Sequence, residues 1–214
     1  KKSIFTTENM NVFASNQFSG AHLNGFEKIN DSTVRVRIEP ENTPINNSAY
    51  YSFKTWASNT KQVYFQFEYP EGYAHRYTPK IKKSNFPWRT IDSTKVFKKG
   101  GNTLVAMNLG KDTTWISAQE VVSSIDTEKW ITDLINEKRD YISLESIGKS
   151  TLGKNIPALD ISKGGTKNKD VIVLLTRHHP PEVTGFFSFK EFLQTILNDS
   201  DLSTKFLSQF SVLA

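Results

Sequence analysis

The 214-residue chain contains no cysteine. That excludes disulfides, thiolate metal ligands and cysteine nucleophiles together. It has only four histidines, His22, His75, His178 and His179, so any imidazole chemistry has few addresses. No run of residues approaches the roughly 18 apolar positions of a membrane helix. The chain begins Lys-Lys-Ser-Ile-Phe, with no initiating methionine, as a trimmed chain or a mature form after signal removal does. This favours a secreted or periplasmic location over a cytoplasmic one.

What is present is an ordinary globular mixture, 37% hydrophobic and 23% charged, rather than a disordered or fibrous one. Fifteen phenylalanines, seven tyrosines and four tryptophans supply the large side chains of a β-rich core. The net charge is +5 and spread out, with one local cluster at residues 80–89, KIKKSNFPWR. No nucleic-acid motif accompanies the cluster, so it reads as a lysine-protected strand edge and no nucleic-acid partner is expected.

Residues 1–120 read as a β-sandwich module. Val34, Val36 and Ile38 alternate with Arg35 and Arg37, and Val63, Phe65, Phe67 and Tyr69 share one face, the period of two of half-buried strands. Further strands are predicted at 49–57, 76–82 and 114–119, with a hairpin over 95–109 turning at Gly100-Gly101. Short strands with a turn signal every ten or so residues suggest a sandwich. Residues 121–214 read as the N-terminal portion of an α/β domain. Asp126 or Thr127 is expected to cap a helix with Trp130, Ile131, Leu134 and Ile135 on its apolar face. Strands are predicted at 141–148 and 156–162. A continuously aliphatic strand at 171–176 is expected to be covered on both faces. A helix over 184–199 and a β-like segment over 206–214 follow. An apolar final strand leaves an edge and a helix face in need of cover, so this portion is expected to be cut short.

The chemistry concentrates after the aliphatic strand, in Arg177-His178-His179-Pro180-Pro181-Glu182. Ligands of open α/β sheets gather at strand carboxyl ends. Pro180 restricts the backbone and pushes His179 toward an extended conformation, while Pro181 suits the first position of a helix with Glu182 in its first turn. An imidazole and a carboxylate can thereby converge on one ion, and both suit zinc at about 2.0–2.2 Å. Strand alternation would point His178 away from His179, leaving His178 as a neighbouring or surface group. The alternative is that Glu182 serves only the charge of the helix N-terminus. Spacing leaves both open.

The stretch TRHHPPEVTG resembles the first zinc-binding motif of the metallocarboxypeptidases of the carboxypeptidase A clan, in which His-x-x-Glu follows a central strand. The upstream SIGKSTLGKNIPALDIS (146–162) is similar to the strand pair that opens that catalytic domain. NNSAYYSFKTWASNTKQVYFQF and NFPWRT resemble the β-sandwich of the cytosolic-carboxypeptidase-like branch. The resemblance implies a zinc exopeptidase acting on peptide or protein C-termini, with a His, Glu, His ligand set and a water in the fourth position. His179 and Glu182 match the first two ligands. The third is a downstream histidine with no counterpart here, since His22 and His75 lie in the sandwich; it is expected beyond residue 214, with the general base and the carboxylate-binding arginines. No catalytic residue is assignable in this chain, and Arg177 receives no role. By itself the chain is expected to bind zinc poorly and to be inactive.

Two other functions compete. One is a related zinc deacylase of N-acyl amino acids. The other is a non-catalytic sandwich module joined to a peptidase-like remnant, with Trp56, Trp88 or Tyr73 as possible contact residues.

Overall fold

Alternation of apolar and polar residues builds the first of two compact units, Lys1–Val121 and Val122–Ala214. The computed structural model describes residues 2–40, 50–138, 140–179 and 181–214. Ala49, at the start of a predicted strand, and Pro180 lie outside the described residues, as does the beginning of the NNSAYY stretch.

In the first unit the strands are β1 (Ile4–Thr6), β2 (Val12–Ser15), β3 (Gly25–Lys28), β4 (Thr33–Arg37), β5 (Ser52–Ala57), β6 (Lys61–Glu68), β7 (Lys80–Lys83), β8 (Arg89–Thr90), β9 (Val96–Lys99), β10 (Asn102–Leu109) and β11 (Thr114–Ser117). They form two sheets, in the orders β1-β2-β5-β11-β7-β8 and β3-β4-β6-β10-β9. The β4–β6 pair is parallel, with Val34 opposite Phe65 and Val36 opposite Phe67. Val34, Val36, Val63 and Phe65 are fully buried, as is Phe53 from the other sheet. Each such side chain contributes roughly 1.5–3 kcal/mol by leaving water. Arg35 points out of the same strand and pairs with Glu68 (2.8 Å) and Glu27 (3.2 Å). The β9–β10 hairpin turns at Gly100 and Gly101, with φ of +57° and +82°. Two successive positive values make the primed turn that glycine allows. The strand predicted at 76–82 begins only at Lys80, and β1 and β2 add an edge the sequence pattern did not signal.

The second unit holds α1 (Ser124–Glu137), β12 (Ile142–Lys149), β13 (Asn155–Ile161), β14 (Asp170–Val173), α2 (Val183–Ile196), α3 (Asp201–Gln209) and β15 (Phe210–Leu213). The sheet order is β12-β13-β15-β14, antiparallel except for the β14–β15 pair. Ile142, Leu159, Ile161 and Val212 of the sheet pack with Ile131 and Leu134 of α1, Leu193 and Ile196 of α2 and Leu207 of α3.

Three expectations are corrected here. The cap of α1 is Ser123, not Asp126 or Thr127. Ser123 accepts from the Asp126 N–H (3.3 Å), and the Asp126 carboxylate accepts from the Ser123 N–H (2.7 Å). The acid is a true start signal, but it stands three residues inside the helix, as a capping box requires. Residues 206–209 finish α3, which Ser200 caps by accepting from Ser203 N–H, so only 210–213 are strand. The aliphatic segment 171–176 is a four-residue strand covered on one face. Ile172 and Leu174 pack on the core, while Val171, Val173 and Leu175 are 61%, 57% and 70% exposed.

His75, in the first unit, carries a pH prediction. Its ring stacks on Tyr51 (5.4 Å) and lies tilted against Phe67 (4.9 Å). Its Nδ1 meets the Tyr69 hydroxyl at 2.9 Å, and its Nε2 is buried without a partner. Burial pushes the imidazole down from 6.5 to about 4. The unfolded chain therefore takes up this proton more readily. The stability held by neutral His75 is complete above pH 6.5 and is lost as pH falls toward 4. Discounted for the ring's partial exposure, the loss is roughly 1 kcal/mol between pH 6.5 and 5. Thermal melts across that range should show a falling midpoint in wild type and a flatter one in His75→Phe. Equal slopes would refute the assignment.

Candidate metal centre

The candidate site begins where β14 runs out. The Leu174 N–H still donates to Leu213 O (2.8 Å), and beyond it the chain leaves the sheet. Arg177 takes φ +59°, a left-handed backbone seldom adopted by a long side chain. The turn then closes through Glu182 N–H to His179 O (3.2 Å) and Val183 N–H to Pro181 O (2.9 Å). Helix α2 starts at Val183, and its buried Val183 and Phe186 seat its first turn in the core.

Glu182 is thus the residue that precedes the helix, one position before the expected first turn. Its side chain makes no cap hydrogen bond to the helix. Instead the carboxylate folds back. Oε1 lies 2.6 Å from His179 Nδ1, and Oε2 accepts the His179 backbone N–H at 3.0 Å. Both oxygens are directed at His179, and the carboxylate still stands at the N-terminus of α2, where its charge is favourable, so the reading in which Glu182 serves the helix charge stays beside the metal reading. These bonds, first from the imidazole and then from the backbone N–H, hold the Glu182 carboxyl below the ordinary glutamate range. Both residues are exposed.

His178 is also exposed. The alternation invoked to separate it from His179 does not apply, since the strand ends at Val173; the turn makes the separation by bonding His179 to Glu182. The other two histidines are engaged in the first unit, His22 through Nδ1 to Tyr50 O (2.6 Å) and His75 among the aromatic rings.

One imidazole nitrogen and one carboxylate oxygen face each other, a donor set that suits zinc. Among the described residues no group of three His, Cys, Asp or Glu side chains could hold a metal.

Arg177 is the residue for which sequence reasoning found no role. Its Nη2 donates to Val122 O at 3.3 Å, and its guanidinium carbon stands 5.8 Å from the centroid of Phe186. No local signal marks it, because arginine is not a residue type that announces a positive φ.

A family model described as zinc carboxypeptidase, peptidase M14, matches residues 127–213. No curated protein sequence matches the chain. Among solved structures, the chain is similar to a metallo-carboxypeptidase from Burkholderia cenocepacia, with a TM-score of 0.81 and 12% identity, over 94% of this chain and 54% of that one. It is also similar to a metallo-carboxypeptidase from Pseudomonas aeruginosa in complex with (2-guanidinoethylmercapto)succinic acid, with a TM-score of 0.77 and 12% identity, over 94% and 53%. The chain spans about half the length of these structures, and at such identity the likeness establishes the fold.

The bonding pattern of Glu182 predicts its titration. In a carbon-detected NMR titration, the Glu182 carboxyl midpoint should fall below that of an ordinary glutamate and rise toward it in His179→Ala. A midpoint unmoved by that substitution would show that the imidazole contact does not hold the carboxylate.

Proposed function

We propose that the protein takes part in zinc-dependent hydrolysis of C-terminal peptide bonds, with His179 and Glu182 as two of the metal's ligands, a reading supported by the zinc carboxypeptidase family model that matches residues 127–213. The observation that carries the proposal is the Glu182 carboxylate turned away from its own helix and onto His179 Nδ1 at 2.6 Å. An oxygen and a nitrogen brought together in this way are spaced by the turn rather than by the helix.

When bound, zinc polarises a scissile carbonyl and lowers the pKa of its water. The chain's own part is positional. The His179 N–H bond fixes one Glu182 oxygen, and the buried Val183 and Phe186 hold the following helix in place. Glu182, kept ionised by its partners, is suited to be a ligand and not the proton-accepting base. A third ligand, the general base and the groups that grip a substrate carboxylate are proposed to come from polypeptide outside these 214 residues, which span about half the length of the similar structures. Peptide or protein C-termini are the proposed substrates.

Zinc retained after dialysis by the full-length protein tests the assignment, since two ligands alone hold the ion weakly. His179→Ala and Glu182→Ala should each weaken zinc binding by at least about a hundredfold, since losing a ligand costs more than the tenfold to hundredfold of an outer contact. His178→Ala should leave binding intact. Equal zinc in wild type and His179→Ala would remove the metal assignment and favour a non-catalytic remnant.

A further inference from the structure

We infer that Arg177 is the positioning residue of the His179–Glu182 pair, acting through its guanidinium to hold the turn between β14 and α2. What the pair is for rests on the zinc reading above; the positioning itself rests on geometry alone.

The two ends of the turn are anchored unequally. On the Glu182 side, the next residue, Val183, is buried, and Phe186 is buried one turn into the helix. On the His179 side, Leu175 is 70% exposed and His178 and His179 are both exposed. Arg177 is the half-buried side chain nearest to His179 on that side. It reaches two other parts of the unit, donating to Val122 O just ahead of the α1 cap and standing over the Phe186 ring of α2. Phe186 is itself braced by Trp130 of α1 at 5.8 Å.

The backbone supports the same conclusion. A left-handed conformation in a residue with a long side chain persists only where surrounding contacts over-determine it. At Arg177 those contacts are a planar donor on a carbonyl and a cation over a ring, which arginine provides together. The φ of +59° redirects the chain two residues before His179, and the guanidinium keeps that redirection in register with α2. Without it, the His179 N–H and Nδ1 have no fixed approach to the Glu182 oxygens.

Two substitutions separate backbone from side chain. Glycine accepts φ +59° without strain and lacks the guanidinium, whereas alanine lacks the guanidinium and keeps the Cβ strain that arginine has; lysine keeps a donor. The first readout is hydrogen exchange of the His179 amide, which donates to Glu182 and needs no metal. The second is zinc affinity, followed by NMR titration of the histidine ring signals. Arg177→Gly and Arg177→Ala should each speed exchange at the His179 amide and weaken zinc binding by about tenfold, the scale of an outer-contact loss. Arg177→Lys should recover part of both. Exchange at core amides of β13 and β15 should stay as in wild type, which separates positioning from general unfolding. If Arg177→Gly matches wild type in amide exchange, or if core and His179 amides lose protection alike, the inference is overturned. If the exchange effect holds while the full-length wild type binds no zinc, positioning stands and the zinc reading falls.

Discussion

The second unit depends on the backbone pairing of Phe210–Leu213, which bonds antiparallel to β13 on one side and parallel to β14 on the other. A parallel pair cannot be joined by a hairpin; it needs a crossover long enough to return the chain to the same end of the sheet. Here α2 and α3 are that crossover. Their Leu193, Ile196 and Leu207 meet Ile161 and Val212 of the sheet, so the helices are held by the surface they cross. The first helix of the crossover must begin just past the carboxyl end of β14, which is where Arg177 to Glu182 lie. The candidate metal site is thus a consequence of the crossover's geometry, and its two proposed ligands occupy the stretch in which strand gives way to helix.

The sandwich unit follows a different logic. Its strands alternate, and the inward residues of both sheets meet in an aromatic and aliphatic layer of Phe26, Phe53, Phe65 and Phe67. The outward residues are left to ion pairs such as Arg35 with Glu68, on a surface where such pairs contribute little. His75 is the exception, a titratable ring taken into the aromatic layer with one nitrogen unpartnered.

Much of this was legible from local pattern. Val34, Val36, Val63, Phe65 and Phe67 announced their burial through a period of two, and Gly100-Gly101 announced a hairpin because the turn needs two positive φ values. His179 and Glu182 stood out through spacing and through their place after an aliphatic run. The errors also have physical causes. An aliphatic run of six residues reads as a strand covered on both sides, yet Val171, Val173 and Leu175 are open, because apolar composition records what a face can bury and not what reaches it. Residues 206–209 read as β-like because Phe206 and Leu207 suit either element; the Ser200 cap and the seat of Leu207 in the core chose the helix.

By itself, then, the sequence determined the alternating strands, the glycine turn, the start signal of α1 and the two residue types able to hold an ion together, since each depends on covalent geometry or on neighbours within a few positions. Only the tertiary structure decided that Glu182 turns back onto His179 instead of capping its helix, that one face of β14 is covered, and that Arg177 reaches Val122 and Phe186. Those outcomes depend on which distant segments come into contact, and the contact between residues 122 and 177 leaves no periodicity in the chain to read.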